Sequence, residues 1–470
     1  MPLPIISVTQ MRNWEKRTWA TDVSEESVMA KAGQAVSQCA LTMTPEGGSI
    51  LLVAGKGNNG GDARIAAKHL PGRSQVLINA KDPVSALREF KHALDQRPDL
   101  IIDGLFGIGL NRDLDEDHCD LVRAMNLAGV PILSVDCPSG LNADTGESMG
   151  IAITAKRTIT FGAPKIGLLQ PRADDFVGTL SVADRIGFAS KLPVSDQLWL
   201  TEADMHGMPP ERMSSGHKGV YGHLGNIAGS TGYHGAACLS VRAALRARPG
   251  LVSVFTPAYQ AVASHLQSAM VHPWTHDIVK PMSACTAMVV GPGLAGPDVP
   301  DNLRAVACQM WSESLMPIIG DASALDWLPS GKTPENSTRV LTPHPGEAAR
   351  MLKCKPDEIQ KDRLGAARQL ATTYDATIVL KGRHTIIAQI DGPVLVNSTG
   401  NPGLGQGGSG DVLTGFLGGL LAQPKFRERA IQAIAYAVWQ HGRTADQLEG
   451  KNIYWGMNEL IDALGRREFD

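Results

Sequence analysis

The sequence predicts an α/β protein of two units, and three observations carry that reading. Short apolar runs end in glycine or aspartate and lead into helical patterns, as in Ser49–Ala54, Leu100–Ile102 and Val130–Val135. Continuous apolar strands of this length belong in a parallel sheet covered on both faces. Fifty glycines against nine phenylalanines point to many tight turns and close backbone approaches, as phosphate-binding α/β enzymes need. Finally, 470 residues, 43% of them hydrophobic and 19% charged, suit two or three globular domains better than one.

Bulk chemistry narrows the function. A formal net charge of −3 is too small to argue for a nucleic-acid partner or an anionic membrane surface. The seven cysteines are odd in number, widely spaced and form no Cys-x-x-Cys pair. That argues against a disulfide framework or a zinc site and favours a reducing compartment. Met1 to Ser7 lacks the basic segment and apolar core of a signal peptide, and no apolar run approaches the roughly 18 residues that span a bilayer. A cytoplasmic protein with no membrane partner is expected.

Between Lys191 and Ser215 the chain changes character, with Pro193, Pro209 and Pro210 and little apolar periodicity. The domain boundary is therefore expected near residue 205, giving units 1–205 and 206–470. A second α/β series begins at His217. The two units share no evident motif, which indicates fusion rather than duplication.

In the first unit the informative segment is Gly55-Lys-Gly-Asn-Asn-Gly-Gly-Asp62, placed between a buried strand and a helical segment from Ala63 to Leu70. A glycine-rich turn of this kind points backbone N–H groups and the positive helix end at an anion. Gly55, Gly57 and Gly60 match G-x-G-x-x-G, but the next strand, near Gln75 to Ile78, ends in Asn79 rather than the acid that holds a ribose. Asn58 and Asn59 can instead hold a hydroxyl or a cation. Asp103 and Asp136 stand at two further strand ends, the latter in Asp136-Cys-Pro-Ser-Gly140. Each alone can be a turn cap. Together with Asn59 and Ser139 they favour one crevice whose oxygen ligands suit a hard cation, beside an aspartate able to act as acid or base.

These residues resemble the NAD(P)H-hydrate epimerase family, from Val8-Thr9-Gln10-Met11 through Lys31-Ala32-Gly33 to about residue 190. The resemblance implies a Rossmann-like, three-layer fold. It implies that Asn58, Asn59, Gly60, Gly61 and Asp62, with Gly107, Ile108, Gly109, Leu110, Asn111, Arg112 and Asp113, contact the hydrated dinucleotide. Asn59, Asp103 and Ser139 would hold K+. Asp136 would bind substrate and act as the acid/base that interconverts the R and S hydrates. Ala63 stands where the family usually has glycine.

The second unit is rich in glycine turns: His217–Gly219, Gly229–Ala236, Gly291–Leu294, Thr342–Glu347, Lys381-Gly382 and Asn401–Asp411. The last leads into the apolar helical run Val412–Leu421. Small residues there let backbone amides close around a phosphate at a helix N-terminus, and Asp411 is placed to assist a substrate hydroxyl. No Gly-Lys-Ser/Thr follows, so this is not a Walker A loop. Close helix packing alone is the competing reading of the glycines. For His344, taken alone, a surface position fixed by flanking prolines is the better one.

Together these turns resemble the ribokinase-like ADP- or ATP-dependent NAD(P)H-hydrate dehydratases over about residues 210 to 465. The resemblance implies that Ala236, Gly293, His344 and Asp411 contact the S hydrate. Lys381, Gly382, Arg383, His384, Thr385 and Gly410 would hold ADP or ATP, with Mg2+ bridging the phosphates. Asp411 would be the base for phosphorylating the ring hydroxyl, and phosphate would then leave. Ser323, Ala228 and His384 depart from the family pattern, and His384 is expected to narrow the nucleotide site.

The two activities complement each other, since one converts R to S and the other consumes S. NADHX and NADPHX are the expected substrates, ADP the expected donor, and a homo-oligomer is compatible with the resemblance. Two rivals stand beside this reading: a ribokinase-like small-molecule kinase with a non-catalytic N-terminal ligand-binding module, and a catalytically silent N-terminal scaffold.

Overall fold

The computed structural model describes residues 1–451 and 454–466. It divides into two compact units, Leu3–Ser195 and the chain from Asp196 onward with Met1–Pro2.

The first unit is built on six strands: β1 (Ser49–Ala54), β2 (Ser74–Asn79), β3 (Leu100–Gly104), β4 (Ile132–Val135), β5 (Arg157–Phe161) and β6 (Thr179–Ala183). Their order is β2-β1-β3-β4-β5-β6, and every pairing is parallel. Alternation along the strands sorts the core into two layers. Ile50, Leu52, Ile102 and Leu133 pack with Val28, Ala32 and Val36 of the helix Glu25–Met43. Leu51, Val53, Ile101 and Ile132 face the other way, onto Phe90, Leu121 and Val122 of the helices Pro83–Leu94 and Glu116–Leu127. The chain leaves β1 toward β2 on one side and returns to β3 on the other. A crevice therefore opens at the carboxyl ends of β1 and β3.

The second unit carries β7 (Gln197–Trp199), β8 (His223–Ile227), β9 (Leu251–Thr256), β10 (Met270–Pro273), β11 (Ala287–Val290), β12 (Ile318–Gly320), β13 (Arg339–Leu341), β14 (Thr377–Leu380), β15 (Ile386–Ala388) and β16 (Val394–Val396). They run in the order β7-β16-β15-β14-β13-β12-β11-β8-β9-β10. From β14 to β10 all pairings are parallel, while β15 is antiparallel to β14 and β16. One face packs Leu224, Val252, Val289 and Ile319 against Val241, Leu417 and Tyr436. The other packs Met288, Val290, Ile318 and Leu341 against Leu303, Trp311 and Leu370.

The junction lies between Ser195 and Asp196, ahead of residue 205, because β7 pairs in parallel with β16 through Gln197–Val394 to Trp199–Val396. Three residues show no periodicity, so this strand was invisible in the pattern. Among the described residues no helix is long and apolar enough to cross a membrane.

Candidate active sites in the two units

The segment read as a loop before Ala63 is the start of a helix, Asn58–Ala67, with Gly57 as an N-cap that makes no side-chain cap hydrogen bond. Asn-Asn-Gly-Gly is poor helix sequence, but packing overrides propensity here. A Cβ on Gly60 would fall 2.0 Å from the Gly55 carbonyl oxygen, and one on Gly55 would fall 2.1 Å from that of Leu105. Two glycines of the apparent phosphate fingerprint thus serve close packing. Gly57 has open space around it. Ala63 is fully buried, and its Cβ would lie 2.6 Å from a Cβ added to Gly104, so the helix sits close on the strand end.

This helix start borders a cavity of about 770 Å³ that also reaches Arg12, Glu15, Asp136 and the aromatic rings of Phe106, Phe161 and Phe188. Of the residues singled out above, Asn58, Asn59, Asp62, Asp136 and the whole run Gly107–Asp113 line it. Gly60 and Gly61 do not: Gly60 is pressed on Gly55, and Gly61 on Met29. Asp103 and Ser139 stand behind the wall, each fully buried. Asp103 accepts hydrogen bonds from the Ser139 amide (2.9 Å), the Ser139 hydroxyl (2.5 Å) and the Ser134 hydroxyl (2.9 Å). Burial pushes its carboxyl up against these lowering contacts. Asn59 Nδ2 donates to the Phe106 carbonyl at 2.8 Å, and the Phe106 amide donates to Ser139 Oγ at 2.8 Å. Asn59, Asp103 and Ser139 are thereby knit around one backbone unit.

Asp136 lies in the left-handed region, φ +59°, a conformation that costs a non-glycine residue strain and is common at functional sites. Its Oδ1 accepts from Lys165 Nζ at 2.6 Å, from Thr160 Oγ1 at 3.0 Å and from the Phe161 amide at 3.1 Å. Lys165 is itself wholly buried and also donates to Thr160 Oγ1 and the Phe161 carbonyl. Lys165 was missed in the sequence, although a signal existed: it is the sole charged residue between Arg157 and Arg172. Asp62 shares the cavity. Burial, with Asp136 and Glu15 repelling, pushes its carboxyl up to about 8, so it is mostly protonated at neutral pH. Glu15, from the helix Val8–Trp19, is raised in turn by burial and by Asp136.

In the second unit the helix Ser409–Leu421 places Gly410 and Asp411 in its first turn. Its glycines do both of the jobs weighed above. Gly415 and Gly419 let it lie close on the helix His234–Arg246, where added Cβ atoms would meet the carbonyl oxygens of Ser240 and Ala244 at 1.9 and 2.6 Å. A Cβ on Gly410 would instead stand 3.0 Å from Lys381 Nζ and 3.8 Å from Asp321 Oδ2. Lys381 Nζ donates to Asp321 Oδ1 at 2.8 Å and lies 3.8 Å from Glu347. Thr414 Oγ1 donates to the other Asp321 oxygen at 2.7 Å.

Burial raises the Asp321 carboxyl, but the Lys381 charge and the hydroxyl contacts outweigh it and hold the group below its usual range. Burial lowers Lys381, and the charges of Asp321 and Glu347 reverse that and raise it. For Asp411, burial and then the Asp321 charge push the carboxyl up to about 7, with Lys381 opposing. Asp321 and Glu347 were not singled out from the sequence as functional. Asp321 follows the same strand-end rule as Asp103 and Asp136, since it follows directly on β12.

His344 caps the helix Pro345–Leu352, and its Nδ1 accepts from the amides of Gly346 (3.0 Å) and Glu347 (3.3 Å). The ring proton of the neutral form therefore sits on Nε2, 3.6 Å from Glu347 Oε1. Although half-exposed, His344 is joined through Glu347 to Lys381 and Asp321. Gly293, at φ +67°, lets its turn approach the helix start at Tyr233 and Ala236, with contacts of 2.3 and 3.1 Å to an added Cβ. The segment Lys381–Thr385 is a tight connection from β14 to β15. Arg363 braces it by donating to the carbonyls of Leu380 and Lys381, and to that of Arg383, while Thr385 Oγ1 donates to the Gly382 carbonyl at 3.0 Å. His384 has φ +51°, where glycine sits without strain, and its ring packs 5.0 Å from that of Trp199. Burial, with Arg383 and Arg363 nearby, pulls its imidazole down to about 3.

Comparison with known proteins fits both units. The family described as NAD(P)H-hydrate dehydratase matches residues 224–465, and the YjeF-related protein N-terminus matches 25–83 and 72–167. The bifunctional NAD(P)H-hydrate repair enzyme of Coxiella burnetii is 34% identical over 464 residues, covering 93% of each chain. That of Gloeobacter violaceus is 35% identical over 512 residues, covering 99% of this chain and 97% of its own. A solved ribokinase-like superfamily protein from Enterococcus faecalis is 25% identical, with a TM-score of 0.51, over 59% of this chain and 97% of that one. The chain belongs to the family of bifunctional NAD(P)H-hydrate repair enzymes.

Proposed function

We propose that the first site interconverts the R and S forms of hydrated NADH and NADPH, and that the second dehydrates the S form at the expense of ADP or ATP. The observation that carries this is the pairing of two chemically distinct sites in one chain. One holds a lysine-bound aspartate beside a protonated carboxyl. The other sets a carboxyl with a pKa of about 7 in a glycine-lined helix turn.

In the first site, Asp136 is fixed by Lys165 and Thr160 at the cavity wall, and it takes and returns a proton at the hydrated ring. Asp62, mostly protonated, is the complementary donor. The open amides at the start of Asn58–Ala67 face the anionic part of the dinucleotide. Asn59, Asp103, Ser139 and the Phe106 carbonyl fit K+: all are oxygen donors with a single carboxylate, too little charge for a tightly bound divalent ion. Among the described residues no group of three His, Cys, Asp or Glu side chains forms a metal cluster. When bound, K+ would supply positive charge behind the substrate face.

In the second site, Asp411 accepts the proton of the ring hydroxyl as its oxygen attacks the terminal phosphorus of the nucleotide. The P–O bond to the leaving nucleotide breaks; the ring C–O bond to the new phosphate then breaks as the neighbouring ring carbon gives up a proton, which forms the ring double bond of NAD(P)H and releases phosphate. Phosphate is a far better leaving group than hydroxide, which accounts for the nucleotide consumed. Lys381–Thr385 and Gly410 receive the phosphates, His344 offers its Nε2 proton to the substrate, and Ala236 and Gly293 shape the wall. Glu347 fits Mg2+, which binds through one or two carboxylates plus phosphates and would neutralise phosphate charge. ADP is the donor we favour.

The test mixes the purified chain with an R/S mixture of NADHX, Mg2+, K+ and ADP and follows NADH absorbance. Full recovery faster than spontaneous epimerisation supports both halves. Recovery of the S fraction alone would remove the epimerase. Repeating with ATP, with NADPHX and without K+ resolves donor, substrate and cation.

A further inference from the structure

The second unit holds another cavity, of about 1000 Å³, at the far end of the helix Ser409–Leu421 from Asp411. Phe416 and Leu420 form part of its floor, with Tyr221, Phe426, Tyr436 and Trp439, and none of Asp321, His344, Lys381 or Asp411 lines it. Its charges are lopsided. Arg212, Arg246, Arg248, Lys425, Arg443 and Arg466 line it against two carboxylates, Glu202 and Glu211. Glu202 is engaged by Arg443 at 3.2 Å. Arg212, Arg248 and Arg466 make no ion pair among the described residues.

Three of these guanidinium groups, those of Arg246, Arg212 and Arg443, are held by their neighbours, while those of Arg248 and Arg466 are exposed. Arg246 donates to the carbonyls of Leu464 (3.0 Å) and Asp462 (2.8 Å), which fixes it in the turn leading to Arg466. Burial and the neighbouring Arg466 both depress its pKa, the mark of like charges crowded together. Arg212 lies 3.6 Å over the Tyr221 ring and Arg443 5.0 Å over that of Trp439. Stacked guanidinium planes of this kind are preorganised forks for phosphate. Cations at helix C-termini also complement carbonyl dipoles, and Arg246 does this, but among the described residues the side chains of Arg212, Arg248 and Arg466 make no such bond.

We propose that this cavity is a second, non-catalytic binding site for a phosphorylated metabolite with a planar ring, of the size and charge of a nucleoside diphosphate. The arginine cluster takes the phosphates, and the aromatic and apolar floor takes the ring.

Equilibrium dialysis with ADP tests this on the full chain and on the R248E/R466E double variant. Wild type is expected to show one class of ADP sites more than the variant, or that class at least tenfold weaker in the variant. The KM for ADP in NADH formation and the thermal midpoint should stay unchanged. Pyrophosphate should displace ADP from this class weakly and adenosine more weakly still, since each supplies half of the recognition. Identical isotherms for the two proteins overturn the proposal. So does loss of binding matched by a raised KM, which would assign the ADP to the Asp411 turn alone. If the double variant does not fold, R248Q/R466Q replaces it with the same two outcomes.

Discussion

The ammonium of Lys381 stands 2.8 Å from Oδ1 of Asp321, directly beneath the backbone of Gly410, where any side chain would meet it at 3.0 Å. This buried pair sets the electrostatic field at Asp411 and joins the strand end after β12 to the connection after β14. Lys381 thereby neutralises an aspartate that would otherwise be buried alone.

Asp321→Asn should therefore act on both stability and pH dependence. Removing one partner of a buried pair costs about 3–5 kcal/mol, readable by chemical denaturation. Asp321 raises the Asp411 carboxyl, so the acid limb of kcat should move to lower pH in the variant. An unchanged limb would show that Asp321 serves structure alone.

As a base, Asp411 must be deprotonated. With its carboxyl at about 7, dehydratase kcat should rise with pH through about 7 and level above it. Asp411→Asn should lose about 100- to 10,000-fold while still binding nucleotide. A flat profile from pH 6 to 8 under chemistry-limited conditions would exclude that role.

Asp62 and Lys165 separate stability from activity in the first unit. The Asp62 carboxyl is raised to about 8 from an unfolded value near 4, so the folded state binds its proton more tightly. Its ionisation therefore erodes stability as pH climbs from about 4 to 8. Asp62→Asn should raise the thermal midpoint at pH 8 more than at pH 5, yet slow epimerisation. Lys165→Met should do the opposite for stability, costing about 3–5 kcal/mol by stranding Asp136, and D136N/K165M should recover much of that loss while remaining inactive.

Two glycines three residues apart make a sharper contrast. Gly60→Ala forces a Cβ to 2.0 Å from the Gly55 carbonyl oxygen and should prevent the first unit from folding, seen as loss of its cooperative transition. Gly57→Ala meets nothing within 4 Å, so its midpoint should stay within about 1 °C, corresponding to a few tenths of a kcal/mol.

Much of the candidate site was readable because its chemistry is concentrated at strand ends. Asp103, Asp136 and the Gly407–Asp411 turn each follow or precede an apolar run, and periodicity marks such places. The run Gly107–Asp113 also reaches the cavity in full. Gly60 and Gly61 do not, because a helix already starts at Asn58 and turns them toward Gly55 and Met29. No local pattern distinguishes a glycine needed for packing from one needed for a ligand.

The sequence by itself determined the two α/β units, the order of their glycine turns and the family to which those turns belong, since apolar period and motif spacing are properties of neighbouring residues. Tertiary structure alone decided the rest. It joined Lys165 to Asp136 across 29 residues and Lys381 to Asp321 across 60, made the strand Gln197–Trp199 part of the second sheet, and pushed Asp62 and Asp411 toward neutral pH. Burial and the approach of distant charges produce such pairings and shifts, and neither is written in any short stretch of chain.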